Sequence, residues 1–258
     1  MNMNNPPSKT ENKVMLVTGA SRGIGAEIAL LAGRSGWRVG VNYLRSAAAA
    51  DEVVARIRAG GGEAVALQAD VGQLPEVVRL FAALDEAFGR CDALVNNAGV
   101  LANFRVDAVD ESNVADLFRA NVFSAYYCSR EAIRRMSTAH GGPGGVIVNM
   151  SSVASRLGGL GGGAAYAASK GAIDSFNLAL AKEVGAEGIR VNAIRPGLIS
   201  TEIHNVHGGI EKMEQMAKTA VPLGRAGSAG EVAQVALWLC SDAASYVHGT
   251  LVDVAGGR

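Results

Sequence analysis

Short, almost uninterrupted apolar runs alternate with longer amphipathic stretches from residue 13 to residue 258, and this alternation constrains the fold more than any other feature. Val14-Met15-Leu16-Val17, Arg38-Val39-Gly40-Val41 and Ala64-Val65-Ala66-Leu67 read as the first three strands. Ala93-Leu94-Val95, Val146-Ile147-Val148, Arg190 to Ile194 and Thr250 to Asp253 supply four more. Runs with so little polar alternation suit strands covered on both faces, as in a parallel sheet. Between them, Gly25 to Gly33, Ala47 to Arg58, Leu74 to Phe88 and Ala229 to Cys240 carry helical spacing. The pattern predicts an α/β, Rossmann-like doubly wound fold, a mainly seven-stranded parallel sheet with helices on both faces. No linker or fixed-period repeat divides the chain, so a flexible tail over 1–12 and one domain over 13–258 are expected.

Charge narrows the function. The 24 basic and 24 acidic side chains cancel, which leaves no net pull toward nucleic acid or an anionic membrane. No apolar run approaches the roughly 18 residues of a membrane span. Cys91, Cys128 and Cys240 are widely spaced and odd in number, and read as buried thiols of a reducing compartment. The first 13 residues lack the layout of a signal peptide, so a cytoplasmic location is expected.

Directly after the first strand, Thr18-Gly19-Ala20-Ser21-Arg22-Gly23-Ile24-Gly25 opens a helical stretch. Missing side chains in such a turn let a pyrophosphate approach the backbone, and the helix N-terminus offers unpaired N–H groups with a partial positive charge. The spacing is G-x-x-x-G-x-G rather than G-x-G-x-x-G, and the same glycines would also permit tight helix packing. Their place between strand and helix favours the phosphate reading. The second strand ends near Asn42-Tyr43, where an NAD site usually carries a carboxylate for the ribose hydroxyls. Here no carboxylate would repel a 2′-phosphate, and Arg22 and Arg45 offer guanidiniums to pair with one unless both are simply solvated. NADP(H) is therefore expected over NAD(H).

Tyr166 and Lys170, four apart in a helical stretch running to about Val184, share one face. A cation beside a phenol lowers its pKa from about 10 and makes it an acid/base near neutrality. Alone, such a pair also arises by chance in many helices.

The motifs in their order resemble the classical single-domain short-chain dehydrogenase/reductase family over residues 13–258. Thr18 to Gly25 is similar to the family's T-G-x-x-x-G-x-G turn, Asp70-Val71 to its adenine-edge pair, and Asn96-Asn97-Ala98-Gly99 to its N-N-A-G segment. Asn121, Ser152, Tyr166 and Lys170 fall where the family carries a catalytic tetrad. Pro196-Gly197, with Ile199 and Thr201 beyond, is similar to the stretch lining the nicotinamide. The resemblance implies a carbonyl/alcohol oxidoreductase working by hydride transfer on a small-molecule substrate. Tyr166 would be the general acid/base, Lys170 would lower its pKa and bind the nicotinamide ribose, Ser152 would orient the substrate oxygen, and Asn121 would hold a relay water. The preceding Ser151 is set aside because the family uses the second serine of such a pair. Ser152 and Tyr166 are fourteen positions apart, one more than the family's commonest spacing, and the glycines of 158–163 would absorb the extra residue. Candidate activities are a 3-oxoacyl-carrier reductase, a sugar (glucose-type) dehydrogenase, toward which the chain leans slightly, or a reductase of xenobiotic ketones; a non-catalytic cofactor sensor would not need the tetrad.

Other features carry less. His204 and His207 lack a third ligand of suitable spacing, so no metal is expected. Residues 200–219 fall at the family's variable substrate loop and read as a lid, and Phe104 and Arg105 as possible pocket borders. Glu231, Trp238 and the stretch 253–258 resemble the family's oligomer-forming end, which implies a homotetramer of D2 symmetry or a homodimer.

Overall fold

Alternate residues of the first strand enter different cores. In the computed structural model, Met15 and Val17 of β1 (Val14–Val17) pack under one layer of helices, while Val14 and Leu16 pack under the other. That is the period-2 geometry of a strand, with both faces apolar because both are covered. The structure describes residues 13–159, 162–201 and 209–258, so the tail expected over 1–12 and the pair His204 and His207 lie outside the described residues.

Six more strands follow: β2 (Arg38–Tyr43), β3 (Glu63–Gln68), β4 (Ala93–Asn96), β5 (Gly145–Met150), β6 (Ile189–Pro196) and β7 (Leu251–Val254). They form one seven-stranded sheet in the order β3-β2-β1-β4-β5-β6-β7, with every pairing parallel. β1 and β4 are neighbours although two strands separate them in sequence. The chain winds outward from this pair in both directions, leaving a crevice at their C-terminal ends, the usual ligand position of such sheets.

The helices divide by face. α1 (Gly23–Arg34), α2 (Ala47–Ala59) and α9 (Ala229–Cys240) bury Ile28, Leu30, Val53, Ile57, Val232 and Leu239 on one side. α3 (Leu74–Phe88), α5 (Ser124–Met136) and α7 (Ala164–Val184) bury Leu80, Phe81, Leu84, Met136, Ile173 and Leu180 on the other. α4 (Glu111–Phe118) runs into α5 through one wider π turn, Arg119–Phe123. α6 (Ala154–Leu157) is a single turn. The stretch read as a lid over 200–219 contains a helix, α8 (Gly209–Ala220). Its Met213 and Ala217 are buried with Leu198 and Val221 in a small core of their own, and burying that apolar stripe is what turns the expected loop into a helix. Cys91, Cys128 and Cys240 are free and buried, and burial pushes the Cys240 thiol up to about 12. Among the described residues no helix is long and apolar enough to cross a membrane.

Candidate active site

Gly19 and Gly23 hold the turn before α1 in left-handed backbone, at φ 61° and 58°, where an L side chain would be strained. Gly25 is required for closeness: a Cβ there would stand 2.5 Å from both the Gly19 carbonyl oxygen and Asn97 Nδ2. Arg22 leads into the helix with extended backbone and supplies no side-chain cap, and the first turn holds no acidic residue. The N-cap side chain thus leaves the N-terminal N–H groups of α1 uncapped, and an anion at the crevice would meet them and the helix dipole. Ser21 and Ile24 are half-buried on this turn, and Arg22 is exposed.

The turn is held to its neighbours by two residues. Thr18 Oγ1 accepts from the backbone N–H groups of Asn97 and Ala98, each at 3.0 Å. Asn97 Nδ2 donates back to the Thr18 and Gly19 carbonyls at 2.9 and 3.0 Å. The ends of β1 and β4 are therefore one unit.

Asn42 is not placed as expected. Only 2% exposed, it accepts from the Gly19 N–H at 3.1 Å and donates to the Leu67 and Ala69 carbonyls, both at 3.2 Å. Its side chain is spent on fixing the glycine turn and does not reach toward a ribose phosphate. A polar residue inside an apolar strand must find such partners, which is the signal that would have revealed this. Tyr43 ends the strand half-buried, and Arg45 beyond it is exposed. Asp70 caps its own turn, accepting from the Gly72 N–H at 2.9 Å and Gln73 Nε2 at 3.0 Å, with Val71 buried beside it.

At the chemical end, Lys170 is 5% exposed, and its Nζ donates to the Met150 carbonyl at 2.8 Å. Burial lowers its pKa from 10.5 to about 8, and Asp174 works the other way. Nζ lies 5.9 Å from the centre of the Tyr166 ring. The phenol is held above its ordinary value by burial, while a hydrogen bond from Ser152 pulls it down. The expected depression by Lys170 is not what acts on the phenol here: burial raises it, Ser152 opposes, and the ammonium is engaged by the Met150 carbonyl. Ser151 is buried, with its hydroxyl donating to the Lys170 carbonyl at 3.1 Å. Ser152 Oγ accepts from the Ala154 N–H at 3.1 Å. Of the two serines, the second is the one on the phenol. Left-handed Gly158, Gly159 and Gly162 turn the chain between Ser152 and Tyr166.

Asn121 sits in the π turn, 2% exposed. Its Oδ1 accepts from the Val100 N–H at 2.7 Å, and Nδ2 donates to the Val100 carbonyl at 3.0 Å and Ser169 Oγ at 3.1 Å. Ser169 in turn donates to the Tyr166 carbonyl at 2.7 Å. The side chain clamps the segment after β4 onto α7. Gly99 permits the approach, since a Cβ there would lie 3.0 Å from Asn121 Oδ1 and 3.5 Å from Lys170 Nζ.

Gly99, Ser151, Ser152, Tyr166 and Lys170 open on one cleft, lined also by Ile24, Asn97, Pro196, Gly197, Ile199 and Thr201. Its remaining walls are mainly apolar: Val100, Leu101, Ala102, Val153, Leu157 and Leu198, with Arg258 at one side. Sequence reading missed these walls, because loop apolar residues carry no periodicity. Phe104 and Arg105 do not line it; Arg105 is exposed and paired with Asp107 at 2.8 Å.

A family model described as enoyl-(acyl carrier protein) reductase matches residues 19–258. The oxidoreductase YgfF of Escherichia coli is 47% identical over 246 residues, covering 95% of this chain and 99% of that protein. Versicolorin reductase 1 of Dothistroma septosporum is 36% identical over 259 residues, covering 96% and 97%. A crystal structure of a short-chain dehydrogenase from Burkholderia cenocepacia in complex with NADP superposes with a TM-score of 0.87 at 31% identity, covering 97% of this chain and 99% of that one. The fold and the cleft define a nucleotide-dependent oxidoreductase of the doubly wound class. The chain belongs to the short-chain dehydrogenase/reductase family.

Proposed function

We propose that this protein is an NADP(H)-dependent carbonyl reductase acting on apolar ketones, with residues 13–258 as its catalytic domain. The observation that carries the reading is the cleft itself, mainly apolar among the described residues, on which Tyr166, Ser152 and Lys170 open together with Ile24 at the start of α1. The glycine turn is packed so tightly on its neighbours that a Cβ at Gly25 would meet the Gly19 carbonyl oxygen and Asn97. Arg22 and Arg45 are exposed cations at the adenosine end, with no acidic side chain in the first turn of α1.

In this reading Gly19, Ser21, Gly23 and the start of α1 hold the pyrophosphate, and Arg22 and Arg45 hold the 2′-phosphate. Bound NADP(H) supplies the hydride. Burial keeps the Tyr166 phenol protonated at neutral pH, the form that gives a proton to a carbonyl oxygen. The Ser152 hydroxyl, on the phenol, orients that oxygen. Lys170 presents its cation beside the ring, and Asn121 keeps Val100 and α7 in register. Ile24, Asn97, Gly99, Pro196, Gly197, Ile199 and Thr201 form the wall against the nicotinamide, while Asp70 and Val71 flank the adenine. Much of the acceleration comes from positioning.

The walls are mainly apolar among the described residues, which favours ketones with hydrophobic bodies over sugars. The versicolorin reductase relatives point the same way. The exposed Trp238 on α9 and Tyr246 before β7 support a homo-oligomer built on that end. The test is NADPH oxidation against bulky ketones and diketones, sugars and 3-oxoacyl thioesters, with NADH in parallel. Turnover of the ketones, abolished in Tyr166→Phe while NADPH still binds, is expected. Turnover retained in that variant refutes the mechanism, and turnover of sugars alone refutes the substrate class.

A further inference from the structure

Asp174 follows Lys170 by four residues, so Tyr166, Lys170 and Asp174 occupy successive turns of one side of α7. Asp174 is itself 8% exposed. Its Oδ2 accepts from Arg195 Nε at 3.1 Å and Nη2 at 2.8 Å, while Oδ1 is buried without a hydrogen-bond partner. A carboxylate with one oxygen unpaired is costly to bury. Arg195 stands immediately before Pro196 of the cleft and also reaches Asp253 Oδ1 at 3.6 Å. Asp253 is held by Arg156 Nε at 3.0 Å, one residue before Leu157 in the cleft wall.

The groups around Lys170 are otherwise neutral. Asn121 approaches from the π turn, Gly99 backbone from the segment after β4, the Met150 carbonyl from β5, Ser151 from just beyond it, and Tyr166 from α7 itself. Among the described residues, the carboxylate acting on this ammonium is Asp174, and its effect favours the charged form. Around Asp174 the charges are Lys170 on α7, Arg195 from β6, and beyond it Asp253 from β7 with Arg156 from α6.

We propose that Asp174 is a positioning residue for the reaction: from one turn along α7 it keeps Lys170 a cation in a buried site, with Arg195 setting how much of its charge the lysine feels. This rests on the catalytic reading of Tyr166 and Lys170 given above. Carbonyl reduction uses the form in which phenol and ammonium both hold their protons, and it fails when the pair loses the first of them. Asp174 stabilises the ammonium, so it holds the alkaline limb of the rate profile at higher pH. Arg195 opposes it.

The experiment is the pH profile of kcat/KM for NADPH-dependent ketone reduction in wild type, Asp174→Asn and Arg195→Met. Each variant removes the same ion pair. The alkaline limb should move to lower pH by about half a unit to one unit in Asp174→Asn, and to higher pH in Arg195→Met, where the carboxylate is freed of its cation. A merely structural pair would move the limb equally in both variants or in neither, and either result overturns the proposal. If Asp174→Asn does not fold, the direction of the Arg195→Met shift still decides. Tyr166→Phe runs alongside: if it keeps activity, the catalytic reading itself has failed, a result distinct from an unmoved limb in an enzyme that depends on Tyr166.

Discussion

Replacing Lys170 by methionine, which keeps most of the side chain's volume but not its charge, should change how stability depends on pH. Burial brings the lysine from 10.5 to about 8 in the folded chain. At 1.36 kcal/mol per unit that displacement corresponds to about 3 kcal/mol of cost for holding the ammonium in the core. The unfolded chain binds this proton more tightly than the folded one. Below about pH 8 both states carry it and the cost is present in full. Between about pH 8 and 10.5 the folded chain releases it first, so the cost fades and wild type gains stability. The methionine variant has no such dependence. Its loss of the donor to the Met150 carbonyl adds a penalty of roughly 1–3 kcal/mol that does not vary with pH. Wild type should therefore gain about 2 kcal/mol on the variant between about pH 7 and pH 9.5. Urea unfolding at the two pH values and matched chain concentration measures this directly. A gap that stays constant, or that moves against wild type as pH rises, would refute the argument that Lys170 is held against its own solvation.

Arg45→Glu should raise the KM for NADPH by about 10- to 100-fold, the worth of one charge-assisted phosphate contact. NADH should be little affected, and equal change for both cofactors would show that Arg45 does not meet the 2′-phosphate. Ser152→Ala should lower kcat/KM by about 100-fold or more, because its hydroxyl is on the phenol. Ser151→Ala should act mainly on thermal stability, by about 1 kcal/mol through the bond to the Lys170 carbonyl; equal losses of activity would void the distinction. Gly25→Ala should weaken NADPH binding at least about 10-fold and cost about 1–3 kcal/mol of stability, since the added carbon meets the Gly19 carbonyl oxygen at 2.5 Å. Fluorescence titration and thermal melts read both effects, and wild-type affinity would mean the cradle is looser than its geometry.

What the sequence disclosed follows from which physical patterns are local. All seven strands were legible to within a few residues, because a doubly covered strand is apolar throughout and needs no partner to be recognised. α3 and α9 were legible to the residue, the first with Pro75 near its start and the second with Ser228 and Glu231 forming a capping box. The glycine turn could be read because its conformations exclude other residues. By contrast, α4 and α5 carried no readable single stripe: the π turn resets the helical phase between them, and a 3.6-residue period cannot be followed across it. A polar Asn42 inside an apolar strand signalled buried partners but not which ones. Its partners Gly19, Leu67 and Ala69 come from three separate segments, and only the assembled sheet brings them together. The same holds for Asp174 and Arg195, which lie 21 positions apart.

The wide turn at Arg119–Phe123 has a consequence for how this chain tolerates insertions and deletions. Residues 111–136 form a continuous rod, and the wider turn is a phase joint within it, where the angular bookkeeping of the two halves is uncoupled. Deleting one residue there would close the wide turn into ordinary helical winding and leave the two halves near their present phases, because the turn is itself one residue taken up locally. Cys128, Ala132 and Met136 would stay in the core, and the loss would fall on the seat of Asn121 against Val100. A one-residue deletion within α4 has no such slack and would rotate the residues before it by about 100° against the face that buries Leu117. The rod is thus indexed at a single point, and that point carries the side chain that fixes the segment after β4 against α7.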